Sequence, residues 1–172
     1  ALAGEPGVKA LKFSFLLGGA VDDPECQVQL DKVFATAKDK NLIVHVHTSP
    51  GAASDIDKIG QLVDRYADEV PIHLVHFGGG VSGHIKLIGS LFFDWIESGK
   101  KVYTDLTWAI GFAPNWLANE IDKRGIGGDR VLFATDQPWG DFADEYHRMI
   151  EATGSREIAD LIFYENFDRL YG

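Results

Sequence analysis

Five short apolar runs recur along the chain at a nearly constant interval, and that interval limits what the chain can fold into. The runs cover residues 8–15, 42–47, 72–77, 102–106 and 131–135. Each is rich in β-branched or aromatic residues and is bounded by Gly, Pro, Asn or Asp, the pattern of a buried strand. The starts at 42, 72, 102 and 131 lie 30, 30 and 29 residues apart. Helical patterns fill the gaps. Leu30, Val33, Phe34 and Ala37 are spaced i, i+3, i+4, i+7, as are Ile88, Leu91, Phe92 and Trp95. Ile56, Ile59, Val63 and Tyr66 mark another helix, and residues 115–124, 142–152 and 156–163 carry three more. Asp23 before Pro24, and Ser54 before an acidic turn, read as helix starts.

Strand–helix alternation at this spacing means consecutive βα units and a parallel sheet. Two α/β architectures compete. A doubly wound open sheet is complete in five or six strands, whereas a TIM-type (β/α)8 barrel needs eight units and about 250 residues. With 172 residues and no linker-like stretch, residues 1–172 read as a single domain. If that domain is a barrel, it is a partial one, supplying about five C-terminal units. The chain opens on Ala1 and its only methionine is Met149, which fits a piece of a longer protein.

Composition narrows the class. Hydrophobic residues make up 45% and charged residues 24%, a balance that folds. No apolar run is long enough to span a bilayer. A net charge of −10 repels phosphate backbones and argues against nucleic acid as a partner. The single cysteine, Cys26, cannot form an internal disulfide, and no signal-peptide pattern opens the chain, so a cytoplasmic setting is expected.

The polar residues favour the barrel. The turn Leu17-Gly18-Gly19-Ala20 is not G-x-G-x-x-G, the phosphate-binding signature expected after the first strand of a dinucleotide-binding sheet. Instead, a ligand-type residue stands near the end of every strand: Lys12, His47, His76, Asp105 and Asp136. Strand parity puts them on one face. Leu11 and Phe13 would face helices while Lys12 faces inward, and Val44 and Val46 face out while His45 and His47 face in. A barrel gathers such strand ends over one mouth and does its chemistry there.

Four motifs in order then resemble a known family: His47 after Leu-Ile-Val, His76-Phe77-Gly78-Gly79, Thr135-Asp136-Gln137-Pro138, and Asn166-Phe167-Asp168-Arg169-Leu170-Tyr171. Together they resemble the amidohydrolase superfamily, and within it the branch that includes aminocarboxymuconate-semialdehyde decarboxylase. The resemblance implies that the five strands are numbers four to eight of the barrel. It implies His47 and Asp136 as metal ligands, zinc first and manganese second, and it makes Asp136 and His76 the catalytic pair. The family's first-strand His-x-His has no counterpart here, because the only such triplet, His45-Val46-His47, aligns with the fifth strand. The 172 residues alone are therefore expected to bind metal weakly.

Each residue also has a plainer reading. His47 could be a hydrogen-bonded core histidine, Asp136 a helix cap, and the glycines after His76 a turn requirement. His45 reads as a buried polar residue with a neighbour to satisfy it, and His73 and His84 as structural or exposed. Lys12 is expected to pair with a barrel carboxylate, Asp105 to hydrogen-bond within the mouth, and Arg169 to tie the tail to the barrel. Trp108, Phe112, Trp116 and Trp139 fall in or near the later loops; of these, Trp108 and Trp139 are the candidates for a substrate wall.

The function expected first is metal-dependent hydrolysis of an amide, lactone or ester of a small molecule, with Asp136 taking the proton of an ion-bound water. The second is non-oxidative decarboxylation of a small unsaturated or aromatic acid. The third is a non-catalytic truncated barrel. Two open sheet edges invite pairing with a second copy of the chain or with a separate N-terminal segment.

Overall fold

A strand that reaches its neighbour through a helix must run parallel to it, and every connection here is of that kind. The computed structural model describes residues 2–16 and 18–172; Ala1 and Leu17, the latter in the turn noted above, lie outside the described residues. Strands β1 (Ala10–Phe13), β2 (Ile43–His47), β3 (Ile72–Val75), β4 (Val102–Asp105) and β5 (Val131–Leu132) form one parallel sheet in the order β1-β2-β3-β4-β5. A doubly wound sheet reverses its strand order at a switch point, and this one does not. With crossovers of a single hand, sequential order keeps the helices on one side of the sheet. The result is the wall of a barrel spanning five of its units.

Helix α1 (Pro24–Lys40) starts where Asp23 accepts a hydrogen bond from the Glu25 N–H, and ends at Asn41 in the left-handed region. Helix α2 (Ile56–Tyr66) is capped by Asp55, one residue later than the expected Ser54, because the Asp55 carboxylate accepts from the Asp57 N–H. Helix α3 (Val81–Lys86) passes through a wide π turn, Leu87–Leu91, into α4 (Phe92–Glu97). Helix α5 (Ala113–Arg124) has Pro114 in its first turn and Gly125 at its end. Helix α6 (Phe142–Thr153) is capped by Asp141. The tail makes a second π turn, Leu161–Glu165, and then α7 (Asn166–Tyr171), where one helix over 156–163 was expected. Among the described residues no helix is long and apolar enough to cross a membrane.

The core lies between the sheet and these helices. Val44, Val46, Ile72, Leu74, Val102 and Val131 are fully buried on the outward parity of the strands, against Phe34, Ile59, Phe92, Phe93 and Leu117. On the inward parity, register sets Lys12 beside His45, His45 beside His73 and His73 beside Tyr103. The alternation expected from sequence holds in β2, whose His45 and His47 are both less buried than Val44 and Val46.

Several side chains depart from expectation. Lys12 is exposed rather than buried against a carboxylate. His73 and His84, read as structural or exposed, are both buried and hydrogen-bonded, which is the structural alternative. The β5 pairing stops at Leu132 instead of residue 135, because the Phe133 N–H turns away to donate to the Ile162 carbonyl of the tail. Arg169 makes only an exposed contact with Glu165 one turn back. The tail is tied to the barrel by Asn166, whose buried amide donates to the Gly128 and Val131 carbonyls at 2.8 Å each.

Asn166→Ala leaves two buried carbonyls without those donors, at a net cost of about 1 kcal/mol per bond plus part of the desolvation penalty. The expected destabilisation is roughly 2–4 kcal/mol, read as a lower urea midpoint with an unchanged slope.

Candidate active site

The strand ends converge, by parity for His47 and Asp105. His76 has the outward parity of Ile72 and Leu74, and Asp136 lies beyond β5; both reach the mouth through a left-handed backbone, at φ 70° and 52°. His47 is the last residue of β2, His76 follows the last residue of β3, Asp105 is the last of β4, and Asp136 lies in the loop after β5. The His47 and His76 rings stand 4.9 Å apart, centre to centre, edge to face. His76 Nε2 is 3.8 Å from Asp136 Oδ2. All three line a cavity of about 260 Å³, together with Thr48, Ser49, Gly79 and Trp108. Trp108 forms one wall, and its indole N–H donates to Asp136 Oδ2 at 2.9 Å. Trp139 does not line the cavity and is 78% exposed. Phe112 and Trp116 lie outside it too, tilted against each other at 6.1 Å.

Backbone strain gathers here. His76, Phe77, Trp108 and Asp136 all adopt positive φ, at 70°, 44°, 59° and 52°. Side-chain-bearing residues in the left-handed region cost about 1–3 kcal/mol each and persist where the surroundings over-determine them. What holds them is the packing of loop on loop. Gly79 is at φ 64°, and a Cβ there would sit 2.4 Å from the Ser49 Cα. The glycines after His76 thus let the β3 loop lie directly on the β2 loop backbone. Thr48 joins the same two loops: its hydroxyl donates to the Val75 carbonyl at 2.5 Å and accepts from the Gly78 N–H at 2.8 Å.

Behind the cavity runs a buried polar chain that the sequence did not reveal. His76 Nδ1 meets the Thr107 hydroxyl at 2.6 Å, and that hydroxyl meets Asp105 Oδ1 at 2.5 Å. Asp105 also accepts from the Thr107 N–H at 3.0 Å and the His76 N–H at 3.3 Å. Its other oxygen meets His73 Nε2 at 2.9 Å. His73 Nδ1 meets the Tyr171 hydroxyl at 2.9 Å, and that hydroxyl also contacts His45 Nε2. Asp105 is therefore a hub rather than a local hydrogen-bonding group. An Asp at a strand end two residues before a Thr was a readable signal for the Asp105–Thr107 turn. Tyr171 had none, since only tertiary folding brings the tail to the sheet. On the loop side, Glu145 of α6 accepts from the Trp108 N–H at 3.1 Å and sets the Trp108 backbone.

Protonation follows from these contacts. Burial alone would raise the Asp105 carboxyl, but the hydrogen bond and charge of His73, with Thr107 and His76, hold it down at about 2. Burial pushes the His45 imidazole down to about 4, helped by the nearby charges of His73 and Lys12. His47 is lowered in the same way, first by burial and then by His76 and Lys12, so its ring stays in the neutral form that ligates metals. Burial also holds the Tyr171 hydroxyl firmly protonated.

The donor set falls short of a metal site. Among the described residues no three His, Cys, Asp or Glu side chains group to hold an ion. His47 and Asp136 are two donors of suitable chemistry, and a catalytic zinc takes three protein ligands.

The amidohydrolase family model matches residues 1–172, and the chain belongs to that family. No curated protein matches it. Among solved structures, it is similar to a 2,6-dihydroxybenzoate decarboxylase from Rhizobium, at 16% identity and a TM-score of 0.60, over 88% of this chain and 56% of that one. It is also similar to a dihydroxybenzoic acid decarboxylase from Polaromonas with bound manganese and the inhibitor 2-nitroresorcinol, at 17% identity and a TM-score of 0.56, over 84% and 54%. A third is an uncharacterised TIM-barrel protein from Bordetella bronchiseptica, at 17% identity and 0.60, over 90% and 53%. At such identities the likeness establishes the fold, a partial TIM-type barrel. The chain spans about half the length of these structures.

The depressed His45 gives the fold a pH signature. The unfolded chain protonates this residue near 6.5 while the folded chain keeps it neutral to about 4. The unfolded state therefore binds more protons in that window, and stability falls as pH drops from 6.5 towards 4, by roughly 3 kcal/mol. His45→Gln keeps a donor for Tyr171 but cannot titrate. It is expected to flatten that part of the stability–pH curve, measured by urea denaturation.

Proposed function

We propose that this chain forms the catalytic face of a barrel enzyme that removes CO₂ from a small hydroxylated aromatic or unsaturated carboxylic acid without an oxidant. The observation that carries the reading is the facing pair His76 and Asp136 in a small cavity walled by an indole. When the carbon–carboxylate bond breaks, the electron pair stays on the substrate carbon, CO₂ leaves, and that carbon takes up one proton. Neither oxidant nor reductant is needed. An imidazole and a carboxyl 3.8 Å apart can share the proton the carbon must receive, with one of them within reach of the bound ring. At about 260 Å³ the cavity lies just below the range that holds drug-sized ligands, which suits a single ring. The Trp108 indole offers that ring an apolar wall, and its N–H keeps the Asp136 carboxyl in place.

The similarity to dihydroxybenzoate decarboxylases supports this reading. Hydrolysis, expected first from sequence, draws support from family membership alone. His47 and Asp136 remain this chain's contribution to a divalent ion, zinc or manganese, whose other donors these residues do not supply. Trp139, 78% exposed, stays a candidate substrate contact only if ligand binding draws its loop inward.

The direct test is to incubate the intact protein with 2,6-dihydroxybenzoate and related hydroxybenzoates and to measure CO₂ release and the decarboxylated phenol. Turnover of at least one of them is expected. Cleavage of lactones or amides with no CO₂ from any hydroxybenzoate would overturn the reading in favour of hydrolysis. In the active protein, Asp136→Asn should lower kcat by about 100-fold or more, the usual contribution of a positioned acid or base, while the denaturation midpoint changes little.

A further inference from the structure

We infer that Asp105 and Thr107 are positioning residues that lock His76 in its Nδ1–H tautomer and leave a bare Nε2 lone pair facing Asp136. Four donors converge on Asp105: His73 Nε2, the backbone N–H groups of His76 and Thr107, and the Thr107 hydroxyl. A carboxyl so surrounded is an acceptor only, and its depressed pKa agrees.

The Thr107 hydroxyl has a single proton. If that proton pointed at His76 Nδ1, two oxygens bearing only lone pairs would face each other across 2.5 Å. The proton therefore goes to Asp105, where the bond is charge-assisted. The Thr107 oxygen is then left as an acceptor, and the 2.6 Å contact with His76 requires a proton on Nδ1. In the neutral ring Nε2 is consequently unprotonated.

The consequence reaches the cavity. Nε2 and Asp136 Oδ2 are both acceptors, 3.8 Å apart, so the gap between them is a seat for a proton or for a donor group of a bound molecule. Neutral His76 offers the cavity an acceptor and not a donor; it becomes a donor only after taking up a proton. The His47 ring packs against the same ring, 4.9 Å away and nearly perpendicular to it. The inference concerns the resting site and holds whichever reaction the site performs.

Two-bond ¹H–¹⁵N correlation spectra of the intact protein labelled with ¹⁵N-histidine test it. They are recorded near pH 8.5, where ordinary histidine is neutral, and the His76 signals are assigned by their loss in His76→Gln. The wild type is expected to show a pyrrole-type Nδ1 and a pyridine-type Nε2. Thr107→Val removes the oxygen that accepts from Nδ1, and a pyrrole-type Nε2 signal should then emerge. Thr107→Ser, which keeps the hydroxyl, should restore the wild-type pattern. Protonated Nε2 in the wild type, alone or with Nδ1, overturns the inference, as does a Thr107→Val spectrum identical to wild type. The wild-type spectrum decides the matter by itself if the valine variant does not fold.

Discussion

The buried carboxylate of Asp105 is the interaction on which the rest of the site depends. An ionised group with 2% exposure is affordable only where donors surround it, and four do. Meeting that demand orients His73, fixes the turn at Thr107 and, through Thr107, orients His76. Because Asp105 ends β4 while His73 lies on β3 and His76 directly follows it, the same contacts also pin the end of β4 to β3. Removing the charge would release the geometry of the mouth, beyond the loss of a single hydrogen bond.

A second constraint is steric. The loops after β2 and β3 touch backbone to backbone at Gly79 and Ser49, an approach closed to any residue with a Cβ. That approach sets the depth of the cavity and holds His76 and Phe77 in a left-handed conformation they would otherwise avoid. Trp108 and Asp136 are strained in the same way on the opposite rim, joined by the indole hydrogen bond. The four strained residues thus come from three different loops, and three of them, His76, Trp108 and Asp136, line one opening, while Phe77 is buried in the core. Such an arrangement gives preorganisation: the side chains that meet a ligand are already placed, at a conformational cost met by the packed barrel wall beneath them.

Much of this was legible in the residues. Regular spacing of apolar runs indicated βα units, and strand parity put His45 and His47 on the inward side, because alternation along a strand is a local property. Asp136 joins His47 through the loop beyond β5 and not through strand alternation. The family motifs then pointed to His76 and Asp136 as neighbours. Other features were not legible. Lys12 has inward parity but stands exposed, since it lies on an edge strand whose outer side has no neighbour among the described residues. Trp139 is close to Asp136 in sequence yet turns outward, because the tight turn over 136–140 carries it away from the cavity. Arg169 looked like the tether of the tail, whereas Asn166 takes that role, being the residue whose amide reaches two free carbonyls at the base of β5.

By itself the sequence determined the repeat of strands and helices, the face each strand residue points to, and the chemical types offered at the strand ends. All of these depend on periods of two and 3.6 residues and on caps within a few positions. Only the tertiary structure decided which of those ends share a proton. The chain from His76 through Thr107, Asp105 and His73 to Tyr171 crosses two strand ends, a loop and the C-terminal helix, at separations of up to 98 residues. No local pattern encodes contacts of that span, because they arise from curvature of the sheet bringing distant ends to one side.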